Sequence, residues 1–222
     1  MTNQHRLPAA MLLVIGLFVT AQPANASTIQ VGIGAFGAGS TLTTFTGQTL
    51  NSEVNGTTVN GILFQYSLGN GALAYGIGPN VTNNVATPLI VSLGAGANSG
   101  VLTLTLPSPV DTFGYGYALL TNVTVPATLI ALFDGATFVG QQVYVGAPDP
   151  VFTGGFAGIQ STLPFNRVQL AFNDVVAPSF AMDNVRTFNS AAVPEPATLT
   201  LLGSGIAAAA WRRRRRNGRP QI

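Results

Sequence analysis

Apolar and polar residues alternate over short distances in the middle of the chain, as they do along half-buried β-strands. In the run 101–106, valine and threonine alternate with Leu102, Leu104 and Leu106. No helical pattern lasts ten residues between positions 27 and 193. The predicted strands are 29–36, 59–66, 73–77, 101–106, 112–119, 128–133, 137–145, 156–159, 168–172 and 180–188.

Turn-forming pairs separate these runs, among them Asn55-Gly56, Asn60-Gly61 and Asp134-Gly135. Asp134-Gly135 lies between two apolar runs and predicts a β-hairpin. Closely spaced strands without intervening helices favour an all-β fold, an antiparallel two-sheet sandwich of jelly-roll-like form. A solenoid is the alternative, but no sequence period repeats convincingly.

The first 26 residues are typical of a secretory signal peptide. His5 and Arg6 give a weakly positive start, and an apolar run covers 11–19. Ala24 and Ala26 fit the small-x-small cleavage pattern, so the mature chain is expected to begin at Ser27. An uncleaved N-terminal anchor helix is the alternative.

The last thirty residues contain three segments in a fixed order. Pro194, Glu195 and Pro196 come first, and the two prolines disfavour a helix before position 196. Fourteen uncharged residues, 197–210, follow. A tryptophan and an arginine cluster then end the segment: Trp211, Arg212, Arg213, Arg214, Arg215 and Arg216.

These segments predict the domain organisation. A β-sandwich ectodomain covers 27–190, a linker with the Pro-Glu-Pro motif 191–196, a transmembrane helix 197–211 and a basic cytoplasmic tail 212–222. Tryptophan suits the membrane interface, and arginine clusters stay on the cytoplasmic side. Because the signal peptide also starts on that side, everything between the two ends should cross the inner membrane.

The order of Pro-Glu-Pro, apolar run and basic cluster resembles the PEP-CTERM sorting signal of Gram-negative bacteria over Pro194 to Arg216. The resemblance implies processing by exosortase, a membrane protease-transpeptidase. The apolar run would span roughly 21 Å as a helix, less than a hydrocarbon core of about 30 Å. An ordinary membrane anchor and a nucleic-acid-binding basic tail are the alternatives.

The middle of the chain also resembles, more diffusely, the ectodomains found ahead of this signal. The stretch 55–64 is similar to their early strand, and 156–161, 165–170 and 180–185 are similar to their closing strands. The resemblance implies a jelly-roll-like domain and implies no activity.

Charge and composition exclude several functional classes. Between 27 and 193, two arginines stand against six acidic residues, a net charge of −4, so a basic nucleic-acid-binding face is excluded there. The chain has no cysteine, and its one histidine is His5 in the predicted signal peptide. Histidine-assisted nucleophilic catalysis and the usual zinc sites are therefore excluded in the mature chain, and we expect no enzyme. A hydrolase with paired carboxylates is a distant alternative.

A Gly-x-Gly-x-x-Gly pattern occurs at Gly32, Gly34 and Gly37. In a dinucleotide site this pattern joins a strand to the start of a helix. No helical pattern follows here, and the chain has 26 glycines, so a chance match is the better interpretation.

Asp183 and Asn184, in the last predicted strand, are a candidate calcium site together with Glu53. Terminal Asp-Asn pairs of jelly-roll modules often hold structural calcium, which prefers six to eight oxygen ligands. The favoured alternative is that Asp183 bonds to neighbouring backbone or pairs with Arg186 or Arg167. No other cofactor is expected.

Two sets of aromatic residues recur at period two, and such sets either form the core or stack on sugars. They are Phe113, Tyr115 and Tyr117, and Phe64 and Tyr66. The core is the favoured interpretation.

The expected function is an exported cell-surface or extracellular-matrix structural protein, associated with exopolysaccharide. It would be transiently anchored in the membrane before reaching the surface or the medium. A carbohydrate-binding, lectin-like module is the alternative. The expected partners are signal peptidase, exosortase, the inner membrane during transit and exopolysaccharide, with no nucleic acid.

Overall fold

The computed structural model describes residues 26–81, 84–94 and 96–190. In this part the chain forms eleven strands and the 3-10 helix Ile33–Ala35. The strands are β1 (Thr28–Gln30), β2 (Thr41–Thr43), β3 (Thr58–Val59), β4 (Ile62–Tyr66), β5 (Leu73–Gly76), β6 (Leu89–Ser92), β7 (Val101–Leu119), β8 (Val125–Asp134), β9 (Thr137–Pro148), β10 (Thr153–Phe172) and β11 (Phe180–Phe188).

The predicted signal peptide up to residue 25, and the predicted linker, transmembrane helix and basic tail from 191 onward, lie outside the described residues. Within 26–81, 84–94 and 96–190, no helix has the length and apolar character needed to span a bilayer.

Two long strands, β7 and β10, hold the fold together because each passes through both layers. The first half of β7 pairs with β4 on one side and the end of β10 on the other. Its second half pairs with the beginning of β10 and with β11. One layer therefore runs β3-β4-β7-β10-β8-β9, and the other contains β5-β6-β11-β7-β10, with β1 and β2 added to β10 and β11.

Every strand pairing in the described part is antiparallel. The all-β, antiparallel, sandwich-like fold expected from the sequence is thus confirmed. The jelly-roll order of strands stays a prediction.

The bends of β7 and β10 lie side by side, where register shifts interrupt their pairing between Gln160 and Arg167. Pro107 and Pro109 of β7 have no partner in this register, which is the place where a strand tolerates residues without an N–H. The sequence predicted two separate strands in each case, and the structure corrects this because the chain stays extended through the bend.

Other strand predictions also need correction. The predicted strand 29–36 is only β1, because the chain turns into the 3-10 helix after Val31 bonds to Gly158. Strands β2 and β6 were not predicted. The hairpin at Asp134-Gly135 is confirmed: Asp134 pairs with Thr137, and Gly135 has a φ of +56°. This backbone conformation at the first loop position favours glycine.

The core lies between the two layers and is rich in aromatic rings. Phe172 and Phe180, from β10 and β11, stack in parallel with centroids 3.7 Å apart and planes 7° apart. Tyr115 contacts Phe172 edge-on, and its hydroxyl bonds to Thr128. Burying each such side chain stabilises the fold by about 1.5–3 kcal/mol relative to exposure.

Candidate binding face

The aromatic residues that recur at period two belong to the core. Phe64, Phe113 and Tyr115 are fully buried, and Tyr66 and Tyr117 are nearly so. Burial raises the pKa of Tyr66 and of Tyr117 to about 12, so both hydroxyls stay neutral. The core interpretation is confirmed, and these rings do not form a sugar platform.

The Asp183-Asn184 pair lies at a register shift of β11, where Asn184 adopts a φ of +53°. Asp183 is buried and accepts hydrogen bonds from the backbone N–H of Asn184 at 2.7 Å and of Ala86 at 3.4 Å. The Asn184 amide donates to the Asn84 carbonyl at 2.9 Å. Burial is the main cause that raises the pKa of Asp183 to about 6. The pair thus bonds to nearby backbone.

Glu53, the third predicted calcium ligand, has its own set of backbone donors. Its carboxylate accepts from Val54 at 3.1 Å, Asn55 at 3.0 Å and Gly71 at 2.6 Å. Asp183 shares none of these donors. The residues of the described ranges contain no group of three or more His, Cys, Asp or Glu that could hold a metal ion. The calcium site stays a prediction.

The glycine pattern at Gly32, Gly34 and Gly37 surrounds a 3-10 helix of only three residues. A Cβ added at Gly32 or Gly34 would meet no atom within 4 Å. In a dinucleotide fold the third glycine allows close helix–strand packing, but a Cβ at Gly37 would meet only the Phe188 ring, at an ordinary contact distance of 3.7 Å.

The solvent side of the β4-β7-β10-β8-β9 layer brings together polar and aromatic side chains that are far apart in sequence. We call it the outer face, and the pairing registers arrange its residues in three rows. The first row is Leu63, Thr105, Arg167, Phe133 and Phe138, the second is Gln65, Thr103, Gln169, Ala131 and Gln141, and the third is Val101, Ala171, Leu129 and Val143. The residues between them in each strand, such as Phe64, Leu104 and Val168, point into the core.

The outer face is broad enough for an extended ligand. Four inter-strand gaps of about 4.8 Å separate β4 from β9, so the face is about 19 Å wide, and the three rows cover about 13 Å along the strands. A shallow cavity of about 250 Å³ adjoins the third row at Leu129, Val143 and Ala171.

The first row contains a fixed cation beside two aromatic rings. The Arg167 guanidinium lies 4.7 Å from the centre of the Phe133 ring. Phe133 in turn packs edge-on against Phe138, with centroids 5.6 Å apart. Phe138 is 54% exposed, so its ring remains open to a ligand.

Sequence reasoning missed this site because its residues come from five strands whose register is not evident from the chain. A partial signal was present. Phe133 and Phe138 flank the predicted Asp134-Gly135 hairpin, and Arg167 is one of only two basic residues between 27 and 193. All three residues stand next to a buried leucine or valine in their strands, and this alternation would have placed them on the solvent side.

A second, apolar groove of about 530 Å³ lies at the end of the sandwich where β7 finishes. Ile77, Leu93 and Leu120 line it and are substantially exposed. The last described residues lie at the opposite end, beside the bend of β7. There Asn189 bonds to Pro109, and Ser190 bonds to Asp111. The groove therefore lies away from the end where the chain leaves the sandwich.

Comparison with known proteins identifies the tail. A family model described as the PEP-CTERM protein-sorting motif matches residues 192–215. The chain therefore contains a PEP-CTERM sorting motif at its C-terminal end. This motif implies export, surface association and processing by exosortase. The predicted sorting residues Pro194 to Pro196 and Trp211 to Arg215 fall within the match.

For the folded domain, the comparisons give weaker similarities. No curated protein sequence matches the chain. Solved structures of family 29 carbohydrate-binding modules are partly similar: one mutant complexed with mannohexaose gives a TM-score of 0.38 at 10% identity, over 67% of this chain and 89% of that one. A second mutant gives 0.39 at 10%, over 72% and 99%. A further family 29 module gives 0.36 at 11%, over 67% and 88%.

Proposed function

We propose that this protein is a non-catalytic structural component of the cell surface or extracellular matrix, associated with exopolysaccharide. The observation that carries the proposal is the position of the sorting motif. It begins at residue 192, two residues after Ser190, which bonds to the sandwich through Asp111. The complete sandwich therefore precedes the motif, as delivery of a folded domain by a C-terminal sorting signal requires.

The experiment is a triple substitution of the motif, Pro194→Ala, Glu195→Ala and Pro196→Ala. Membrane insertion depends on the apolar run and the arginines, so it should stay intact. A sorting enzyme must instead read side chains beside the bond it cuts, so loss of the tail should stop. We expect a larger, membrane-bound form to accumulate, measured by intact mass and cell fractionation.

The unmutated protein in a host without exosortase is the matched control and should behave like the triple variant. If the unmutated protein keeps Trp211 and the arginines in an exosortase-positive host, the sorting function is refuted and a plain anchor replaces it.

Export should also remove the signal peptide after Ala26. The Ser27 backbone N–H already bonds to the Thr162 hydroxyl at 3.0 Å, and β1 begins at Thr28. A mature chain beginning at Ser27 would thus keep its first strand paired to β10. N-terminal sequencing of the exported protein should begin at Ser27, and a sequence beginning at Met1 contradicts signal-peptide cleavage.

A second candidate function is carbohydrate binding within the matrix, and the outer face favours it. This surface combines an exposed aromatic ring, a fixed guanidinium and several amide side chains, which are the groups that contact sugars. A glycan array probed with the exported protein tests this function. If no glycan is bound, carbohydrate binding is refuted and the structural role is the one that stays.

A further inference from the structure

We propose that the outer face binds an acidic polysaccharide, with Arg167 receiving a sugar carboxylate and Phe138 stacking on the apolar side of a sugar ring. The proposal rests on the second candidate function, carbohydrate binding, and specifies its ligand class and site. It does not depend on how the tail is processed.

Arg167 is a cation without an anionic partner in the described part of the chain. Its Nε atom is buried and has no hydrogen-bond partner there. The side chain as a whole is half-buried, so part of it reaches the surface of the outer face. A guanidinium presents its donors in a planar fork that matches a carboxylate. A carboxylate ligand would therefore supply the anionic partner that Arg167 lacks in the described part of the chain.

The guanidinium is also held in place before any ligand arrives. Phe133 supports it from one side through the 4.7 Å cation–π contact, and Phe138 braces Phe133. Such contacts reduce the freedom that Arg167 must lose on binding, which favours affinity.

The second row supplies neutral groups for sugar hydroxyls. Gln65 and Gln141 are exposed and Gln169 is half-buried. They occupy alternate strands of the layer, so neighbouring glutamines are about 10 Å apart across it. Each amide offers both a donor and an acceptor, as a hydroxyl requires.

Charge determines the ligand class. The region 27–193 has a net charge of −4, so most of its surface repels an acidic polymer. The three rows of the outer face contain Arg167 and no acidic residue. The face is therefore a place where a chain of uronic acids meets positive charge, and one cation is too few for a nucleic-acid backbone.

The test uses the protein in the form that is exported after processing. Its binding to polygalacturonate is measured by isothermal titration calorimetry, with neutral amylose as the comparison polymer. We expect binding to polygalacturonate and at least about tenfold weaker binding to amylose. Arg167→Gln should lower the affinity for polygalacturonate about tenfold or more, because it removes a charge-assisted hydrogen bond. Phe138→Ala should weaken binding to both polymers.

Arg186→Gln is the matched control. Arg186 also has a buried, unpaired Nε, but it lies on β11, outside the three rows. Its substitution should leave the affinity unchanged. Arg167→Lys keeps the charge and should retain part of the binding, which guards against a folding defect in Arg167→Gln.

Three results overturn the proposal: no binding to polygalacturonate, equal binding to both polymers, or equal losses from Arg167→Gln and Arg186→Gln. Amylose binding that needs Phe138 but not Arg167 would leave carbohydrate binding intact and refute the acidic ligand. Dimerisation of the protein that Phe138→Ala abolishes would show that a second copy covers the face, and it also overturns the proposal. Tail removal without polysaccharide binding would leave the sorting function standing.

Discussion

Asp111 and Ser190 join the end of the folded domain to the bend of β7. The Ser190 backbone N–H donates to the Asp111 carboxylate at 3.1 Å, and the Ser190 hydroxyl donates to its other oxygen. Asn189 adds a bond from its amide to the Pro109 carbonyl at 3.2 Å. This attachment lies two residues before the matched sorting motif begins. It separates the folded sandwich from the segment that the sorting enzyme must reach.

Asp111→Ala should therefore loosen the chain at Ser190 while leaving the sandwich folded. A hydrogen bond to a charged group contributes about 1.5–3 kcal/mol, and most of this loss should appear as local opening at residues 189–190. Hydrogen–deuterium exchange of the Ser190 amide should become faster. Asp174→Ala, in the loop between β10 and β11 at the opposite end, is the control. Equal exchange at Ser190 in the two variants would show that Asp111 does not hold the tail.

The stacked pair Phe172 and Phe180 should carry a large share of the stability at the end of the sandwich where β11 begins. Both rings are buried, and Phe180 is fully so. Phe180→Ala should lower the free energy of unfolding by about 3–5 kcal/mol, because it removes apolar contacts and leaves a cavity. The measurement is the midpoint of urea unfolding. Phe138→Ala, which removes a half-exposed ring, is the comparison and should change stability far less. Similar losses in the two variants would contradict this account.

Gly116 should tolerate no side chain. It lies in the second half of β7 against the backbone of Asn84, and a Cβ there would overlap the Asn84 carbonyl oxygen. Backbone cannot move aside as a flexible side chain can, so Gly116→Ala should destabilise by about 1–3 kcal/mol or more. Gly34→Ala is the matched control, since its Cβ would meet nothing within 4 Å, and it should change stability by less than about 0.5 kcal/mol. Thermal unfolding of both variants distinguishes close packing from a general cost of replacing glycine.

The sequence could predict the fold class because burial of one strand face forces a period of two, as in 101–106. It could not predict that β7 and β10 are continuous, because Pro107, Pro109 and Pro164 look like strand ends. In the structure they fall near the bend, where pairing is interrupted in any case. Local chemistry thus gives the correct turn residues but not whether the chain reverses or bends there.

The candidate site was less accessible to sequence reasoning than the fold. The rings at 113, 115 and 117 could be assigned to the core because aromatic residues that recur at period two along a strand usually face the interior, and all three are buried. Arg167, Phe138 and Gln65 meet only through pairing of β4, β7, β10, β8 and β9. Such registers depend on long-range packing, and no pattern within one strand specifies them.

Asp183 should make the stability of the domain depend on pH in a defined direction. Burial raises the pKa of its carboxyl from an ordinary value of 3.8 to about 6. Between about pH 4 and pH 6 the folded state therefore binds more protons than the unfolded state, so stability falls as pH rises through this window. Above about pH 6 Asp183 is ionised in the folded state, and the free energy of unfolding is lower by at most about 3 kcal/mol for a shift of this size. We expect Asp183→Asn to flatten the pH dependence of stability between pH 4 and pH 7, measured by urea unfolding at a series of pH values. Calcium bound at Asp183 and Asn184 would instead stabilise the ionised carboxylate, so added calcium should raise the melting temperature at pH 7 in the unmutated protein and not in Asp183→Asn. Identical pH profiles of the unmutated protein and Asp183→Asn would contradict the assignment of this pH dependence to Asp183. Identical melting curves of the unmutated protein with calcium and with chelator would refute the calcium site.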